Sequence, residues 1–156
     1  MNPEQQEAID EILDRAADMT IATVREDGYP QATTVSFVHD GPVLYFGCGA
    51  HSQKARNIAG SNKVSVTVDL PYADWREIRG LSLGGRAHPV TDPGELQHVF
   101  DAMVAKFPQV AEFANAGERE EIMAVRIDPE VISLLDYRKG FGHTEQIETR
   151  SPAARR

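Results

Sequence analysis

Three short strand-like runs follow one another between Met19 and Gly47, and the connections between them are too short for anything but hairpins. The runs are Met19–Arg25, Gln31–Val38 and Val43–Gly47, separated by Asp27-Gly28 and by Asp40-Gly41-Pro42. Asp-Gly is a strong hairpin turn signal. A parallel pair would need a long crossover, so these strands form an antiparallel meander.

The rest of the chain extends that sheet. Lys63–Leu70 alternates, with Val64, Val66 and Val68 on one face and Ser65, Thr67 and Asp69 on the other. That is a half-buried strand. Pro71–Asp74 breaks it, and Trp75–Val90 reads as a long strand holding Gly80, Gly84 and Gly85. Glycines inside a strand point to bulges, bends or close approach of another group. Glu121–Leu135 reads as a last long strand, kinked at Pro129.

Helices are few and peripheral. Met1–Ala17 has Asn2 as N-cap, Pro3 at the first helical position and Gln5 completing a capping box. Its stripe is Ala8, Ile9, Ile12, Leu13 and Ala16. Ser52–Ala59 reads as a short helix closed by Gly60. Asp92-Pro93-Gly94-Glu95 opens another, with Leu96, Val99, Phe100, Met103 and Val104 on its apolar face, and Pro108–Asn115 reads as a further short one. Roughly six consecutive antiparallel strands with helices outside imply a small barrel. Residues 1–143 are expected to form one domain, and 144–156 a loose polar tail.

Charge and cysteine content narrow the function classes. A net charge of -8 over 156 residues disfavours nucleic acid and anionic membrane as partners. No apolar run is long enough to span a bilayer, and the polar start at Met1–Asp10 does not read as a signal peptide. The one cysteine, Cys48, allows no intramolecular disulfide and fits the cytoplasm. Cys48, flanked by two glycines, has two readings, a reactive thiol or an inert one, and with no local group to activate it the inert one is preferred. No cluster of His, Cys, Asp or Glu has metal-ligand spacing, and no acid–base triad is evident.

The segment that carries chemistry is Gly47-Cys48-Gly49-Ala50-His51-Ser52-Gln53-Lys54-Ala55-Arg56-Asn57, which joins a strand to a helix. A helix N-terminus presents unpaired N–H groups and partial positive charge, a ready site for an anion. Ser52 can cap the helix or bind a phosphate oxygen. Lys54 and Arg56 stand in the first turn, where the dipole disfavours cations unless an anion is present. Two readings stand: a phosphate cradle over His51–Asn57, or a capped and solvated surface helix. His51 can polarise a ligand or simply stand at the surface.

Several segments, in this order, are similar to the pyridoxamine 5′-phosphate oxidase-like family, the FMN-binding split barrels. They are Met19-Thr20-Ile21-Ala22-Thr23-Val24, Gly28-Tyr29-Pro30-Gln31, Val43-Leu44-Tyr45-Phe46, Ser52-Gln53-Lys54-Ala55-Arg56-Asn57-Ile58, Asn62-Lys63-Val64-Ser65-Val66 and Arg79-Gly80-Leu81-Ser82-Leu83-Gly84-Gly85-Arg86-Ala87. The resemblance implies a six-stranded antiparallel Greek-key split barrel and a homodimer with FMN sites at the interface. It implies that the flavin phosphate sits on Ser52 and Lys54, flanked by His51, Gln53 and Asn57. The ring would lie along Thr33, Thr34, Val35 and Ser36 with Tyr45 and Phe46, and Arg79 and Gly80 would approach from the partner. The family's oxidases carry an arginine where Thr33 or Thr34 stands, and an Arg/His substrate motif on a longer C-terminus. This chain has neither, so the resemblance implies flavin binding and an oxidoreductase acting on an unknown small molecule, not vitamin B6 oxidation.

Two alternatives remain on the same scaffold. Relatives that bind a deazaflavin would use Lys54, Arg56 and Arg79 for its acidic tail. Others are non-enzymatic flavin- or haem-binding stress proteins, for which His51, His88 or His143 is a candidate axial ligand. Tyr137–His143 has two readings as well: Arg138, Lys139 and His143 reaching a ligand, or a solvated turn after the last strand. Trp75 either stacks near a ring or staples the barrel edge.

Overall fold

The computed structural model describes residues 1–115 and 121–149. Helix α1 (Pro3–Arg15) starts as its sequence requires. The Asn2 side chain accepts from the Gln5 amide at 2.8 Å, and the Gln5 side chain accepts from the Asn2 amide at 3.1 Å. Such a cap is worth about 1 kcal/mol. The buried stripe Ile9, Ile12 and Leu13 plugs the core.

The strands are β1 (Asp18–Val24), β2 (Pro30–Ser36), β3 (Val38–Asp40), β4 (Val43–Gly49), β5 (Lys63–Asp69), β6 (Arg79–Pro89), β7 (Ile122–Asp136) and β8 (Thr144–Glu148). They form one antiparallel sheet in the order β2-β1-β5-β6-β7-β4-β3, with β8 also on β7. The sheet curls into a split barrel around Met19, Ile21, Phe37, Phe46, Val66 and Ile127. At the Asp27-Gly28 hairpin Gly28 has φ +89°, a conformation glycine adopts without Cβ strain. This hairpin sets β1 against β2 with Thr23 opposite Gln31. Helix α2 (Gln53–Gly60) follows β4. Helices α3 (Pro93–Lys106) and α4 (Val110–Asn115) lie between β6 and β7 in the chain. Among the described residues no helix is long and apolar enough to cross a membrane.

Four sequence expectations change. Gln31–Val38 is not one strand: fully buried Phe37 divides β2 from β3. The break is held by α3, where Lys106 Nζ donates to the Phe37 carbonyl at 2.9 Å and lies 4.0 Å from the Phe37 ring centre. Trp75–Glu77 is a 3₁₀ turn capped by Asp74, so the strand expected from Trp75 begins at Arg79. Thr144–Glu148 is not a loose tail but β8, drawn into the sheet because Ile147 enters the core at 4 % exposure. The rest of that expected tail, residues 150–156, lies outside the described residues. The sheet therefore has eight strands rather than about six.

Glycines in β6 do what the sequence anticipated. The β6–β7 register shifts between Gly84 and Gly85, because Gly84 pairs with Val131 and Gly85 with Pro129. Glu130, the extra residue between them, forms a bulge beside the anticipated kink.

Candidate functional site

Strand β4 ends at Gly49, and the chain turns through Ala50 and His51 into α2. The turn is tied to the start of β7: the Ala50 amide donates to the Glu121 carbonyl at 2.7 Å, and the exposed His51 ring hydrogen-bonds the Glu121 carboxylate. Ser52 caps α2, its hydroxyl accepting from the Ala55 amide at 3.2 Å and its carbonyl from the Arg56 amide at 3.1 Å. Among the described residues the amides of Gln53 and Lys54 meet no backbone acceptor. They are the open donors of the helix start. Lys54 is half-buried beside them, its Nζ 5.8 Å from the Phe46 ring centre.

The remaining cradle residues are held internally. Asn57 is 3 % exposed. Its amide donates to Thr23 Oγ1 and Gln31 Oε1, both at 3.0 Å, and its carbonyl accepts from Gln53 Nε2 at 2.8 Å. Arg56 donates through Nη2 to Gln53 Oε1 at 2.8 Å and through Nη1 to the His51 carbonyl at 2.6 Å. Reading the sequence alone missed Thr23 and Gln31. The signal was there, because the Asp27-Gly28 hairpin register sets these two residues opposite each other.

The expected ring-contact residues do not share one face. Along β2, Thr33 and Val35 are half-buried while Thr34 and Ser36 are exposed, as strand alternation requires. Ser36 donates to Asp18 at 3.0 Å. Thr33 Oγ1 is buried and has no hydrogen-bond partner among the described residues. An unpaired buried hydroxyl costs free energy unless something meets it. On β4, Phe46 points into the barrel core and is fully buried. Its neighbour Tyr45 points the other way, into the small cluster with Val38, Val90 and Val99. The Tyr45 hydroxyl donates to Glu95 Oε2 at 3.1 Å, and Arg126 Nη1 donates to the same carboxylate at 2.6 Å. Burial, then the Glu95 hydrogen bond, hold the Tyr45 phenol above its ordinary pKa.

Arg79 and Gly80 stand apart from the cradle. Arg79 pairs with Asp136 at the end of β7, whereas Gly49, just before the cradle, pairs with Ile122 at its start. The buried Arg79 guanidinium donates to both oxygens of Glu11, at 3.1 and 2.9 Å, and its Nε has no partner among the described residues. Gly80 is fixed by packing, since a Cβ there would lie 2.7 Å from the Val68 carbonyl oxygen.

Around Arg79 the Tyr137–His143 segment is ordered. A 3₁₀ turn spans Tyr137–Lys139, and Arg138 donates to both carboxylate oxygens of Asp136 at 2.9 and 2.8 Å. That bond, first among several causes, holds the Asp136 carboxyl below the usual range. Lys139 reaches Glu4 at 3.5 Å and Glu145 at 3.8 Å, so these charges face protein groups. Phe141 is 74 % exposed and Trp75 65 % exposed, with ring centres 6.2 Å apart, so Trp75 is neither core nor edge staple. The three histidines considered as axial ligands sit apart on separate segments. Each has Nε2 facing a carboxylate: His51 on Glu121, His88 3.4 Å from Asp128 and His143 3.9 Å from Glu145. Among the described residues no group of His, Cys, Asp or Glu is arranged to hold a metal ion.

Cys48 is half-buried against the core. Burial pushes its thiol up, against weaker opposing effects of the Ser52 hydroxyl and the Lys54 charge. Because the thiolate is the nucleophile, alkylation by iodoacetamide at neutral pH is expected to be slower than that of free cysteine. It should accelerate only above the ordinary thiol range. Fast labelling at pH 7, read by mass spectrometry, would contradict this placement.

The comparisons with known proteins agree with this fold. The family model described as pyridoxamine 5′-phosphate oxidase matches residues 5–136. No curated protein matches the chain by sequence. A solved haem-binding protein from Mycobacterium smegmatis is 17 % identical with a TM-score of 0.78, over 95 % of this chain and 59 % of that one. The haem storage protein HutZ from Vibrio cholerae is 20 % identical with a TM-score of 0.67, over 80 % and 89 %. A conserved hypothetical protein from Mycobacterium tuberculosis is 23 % identical with a TM-score of 0.74, over 98 % and 94 %. Likeness at these identities is likeness of fold.

Proposed function

The chain belongs to the pyridoxamine 5′-phosphate oxidase family, and from that premise we propose that it is a cytoplasmic FMN-binding homodimer, a flavin-dependent oxidoreductase acting on a small molecule. The observation that carries the reading is the set of open donors at the start of α2. The Gln53 and Lys54 amides begin α2, with the Lys54 ammonium beside them. On β2, two residues along from the Gln31 that bonds α2, the buried Thr33 hydroxyl has no partner among the described residues. An anionic phosphate suits the helix start, and a polar ring edge suits the orphaned hydroxyl.

The Ser52–Lys54 turn would hold the phosphate, and Thr33 would orient the ring. The flavin, when bound, supplies the redox chemistry, while the protein supplies binding and electrostatics. Phe46 closes the inner wall and keeps water from the barrel core. The homodimer enters because one copy holds Arg79 and Gly80 at the opposite end of β7 from its own cradle. The family resemblance brings this strand of a second copy to the cradle. The acidic net charge of -8 disfavours polyanionic partners.

Titration of the purified protein with FMN, followed by visible absorbance and flavin fluorescence, is expected to give saturable binding in the micromolar range or tighter. Tighter binding of a deazaflavin cofactor under the same conditions would move the reading to that cofactor. A Soret band on haem titration without any FMN binding would overturn it.

A further inference from the structure

We infer that Asn57 is a positioning residue, a buried clamp that sets the direction of the phosphate cradle without touching a ligand, and that Gln53 and Arg56 carry its effect to the helix start. The inference rests on the FMN reading above. Its basis is an unbroken chain of hydrogen bonds running from the barrel to the turn before Ser52.

The chain begins at Thr23, a β1 residue only 2 % exposed. Asn57 donates to Thr23 Oγ1 and to Gln31 Oε1, both at 3.0 Å, so both of its N–H donors are engaged with the β1–β2 hairpin. A buried carboxamide with both donors satisfied inside the protein has none left for a phosphate. Its carbonyl accepts from Gln53 Nε2 at 2.8 Å, which fixes which way the Gln53 amide faces. Arg56 enters this network only as a donor, because a guanidinium has no acceptor. It bridges Gln53 Oε1 at 2.8 Å and the His51 carbonyl at 2.6 Å. The His51 carbonyl belongs to the peptide that leads into Ser52, so its orientation governs where the first amides of α2 point. The residues that look like ligand contacts in sequence thus work one step behind the contact.

The same geometry separates two roles for Arg56. If Arg56 acted by its charge, lysine would replace it. If it acts as a bridge, lysine fails, because a point charge on a flexible stem does not hold two acceptors in a fixed fork. The site is exposed, so Arg56→Lys leaves folding intact, and it backs up the buried variant Asn57→Ser.

The experiment compares FMN with riboflavin, which has the same ring and no phosphate, for the wild type and both variants. A thermal melt of each protein runs alongside. The expected result is a loss of FMN affinity of about tenfold or more in each variant, the scale of one hydrogen bond to a charged group. Riboflavin affinity should stay within about twofold, so the preference for the phosphorylated ligand collapses. Equal losses for both ligands, tracking a lowered melting point, would make Asn57 merely structural and overturn the inference. So would an FMN preference that survives Arg56→Lys. A wild type with no preference for FMN over riboflavin overturns the FMN reading, and the inference with it. A wild-type preference that persists in both variants overturns the inference alone.

Discussion

Gly85→Ala is expected to lower the unfolding free energy by about 3 kcal/mol or more, the upper end for forcing an atom into a packed site. For a chain of this size that moves the melting point down by roughly 10 °C. Gly84→Ala is expected to change stability by less than about 1 kcal/mol and can raise it slightly, since glycine weakens a strand relative to alanine. The contrast lies in the space beside each residue. A Cβ at Gly85 would lie 2.5 Å from the Asp128 carbonyl oxygen and 3.1 Å from the Pro129 Cα, which are backbone atoms that cannot rotate aside. At Gly84 the nearest atom is a Val131 methyl carbon at 3.4 Å. Neither glycine has positive φ, so conformational freedom does not distinguish them. Thermal melts of the two variants check the claim, and equal melting points would show that the bulge does not require a bare Cα at Gly85.

Phe46→Ala is expected to cost about 3–5 kcal/mol, the usual range for emptying a buried aromatic site. Phe46 is fully buried among core residues of the barrel. Its neighbour gives the control. Tyr45→Phe removes only the hydroxyl bonded to Glu95 and Arg126, and should cost about 1 kcal/mol. Urea denaturation of the protein without added flavin measures both. Phe46 would instead be a ring contact if Phe46→Ala kept its stability within about 1 kcal/mol and altered only the spectrum of bound flavin. The family resemblance expected Tyr45 and Phe46 to line one ring together. Strand alternation forbids this for adjacent residues, and the structure sends one to α3 and the other to the core.

The same division runs through the whole protein. The capping box of α1, the Asp27-Gly28 hairpin, the clean alternation of β5 and the Asp92 start of α3 were legible in the sequence. So was a helix at Ser52 after a strand. Each of these is decided by residues a few positions apart, and a periodicity or a cap carries its own signal. The break at Phe37 was not legible, because its carbonyl is satisfied by Lys106 from α3. Nor was β8, whose mostly polar residues become a strand only by pairing with β7. At the start of α2, the residue types left a phosphate cradle and a solvated helix both open, and which donors stay free did not follow from them. Asn57 is engaged by Thr23 and Gln31, Arg79 by Glu11, and Tyr45 by Glu95, all partners distant in the chain. The sequence by itself determined where the helix start and its positive charge would be. Only the tertiary structure decided which donors remain for a ligand, because a buried polar group bonds to whatever the fold brings within reach.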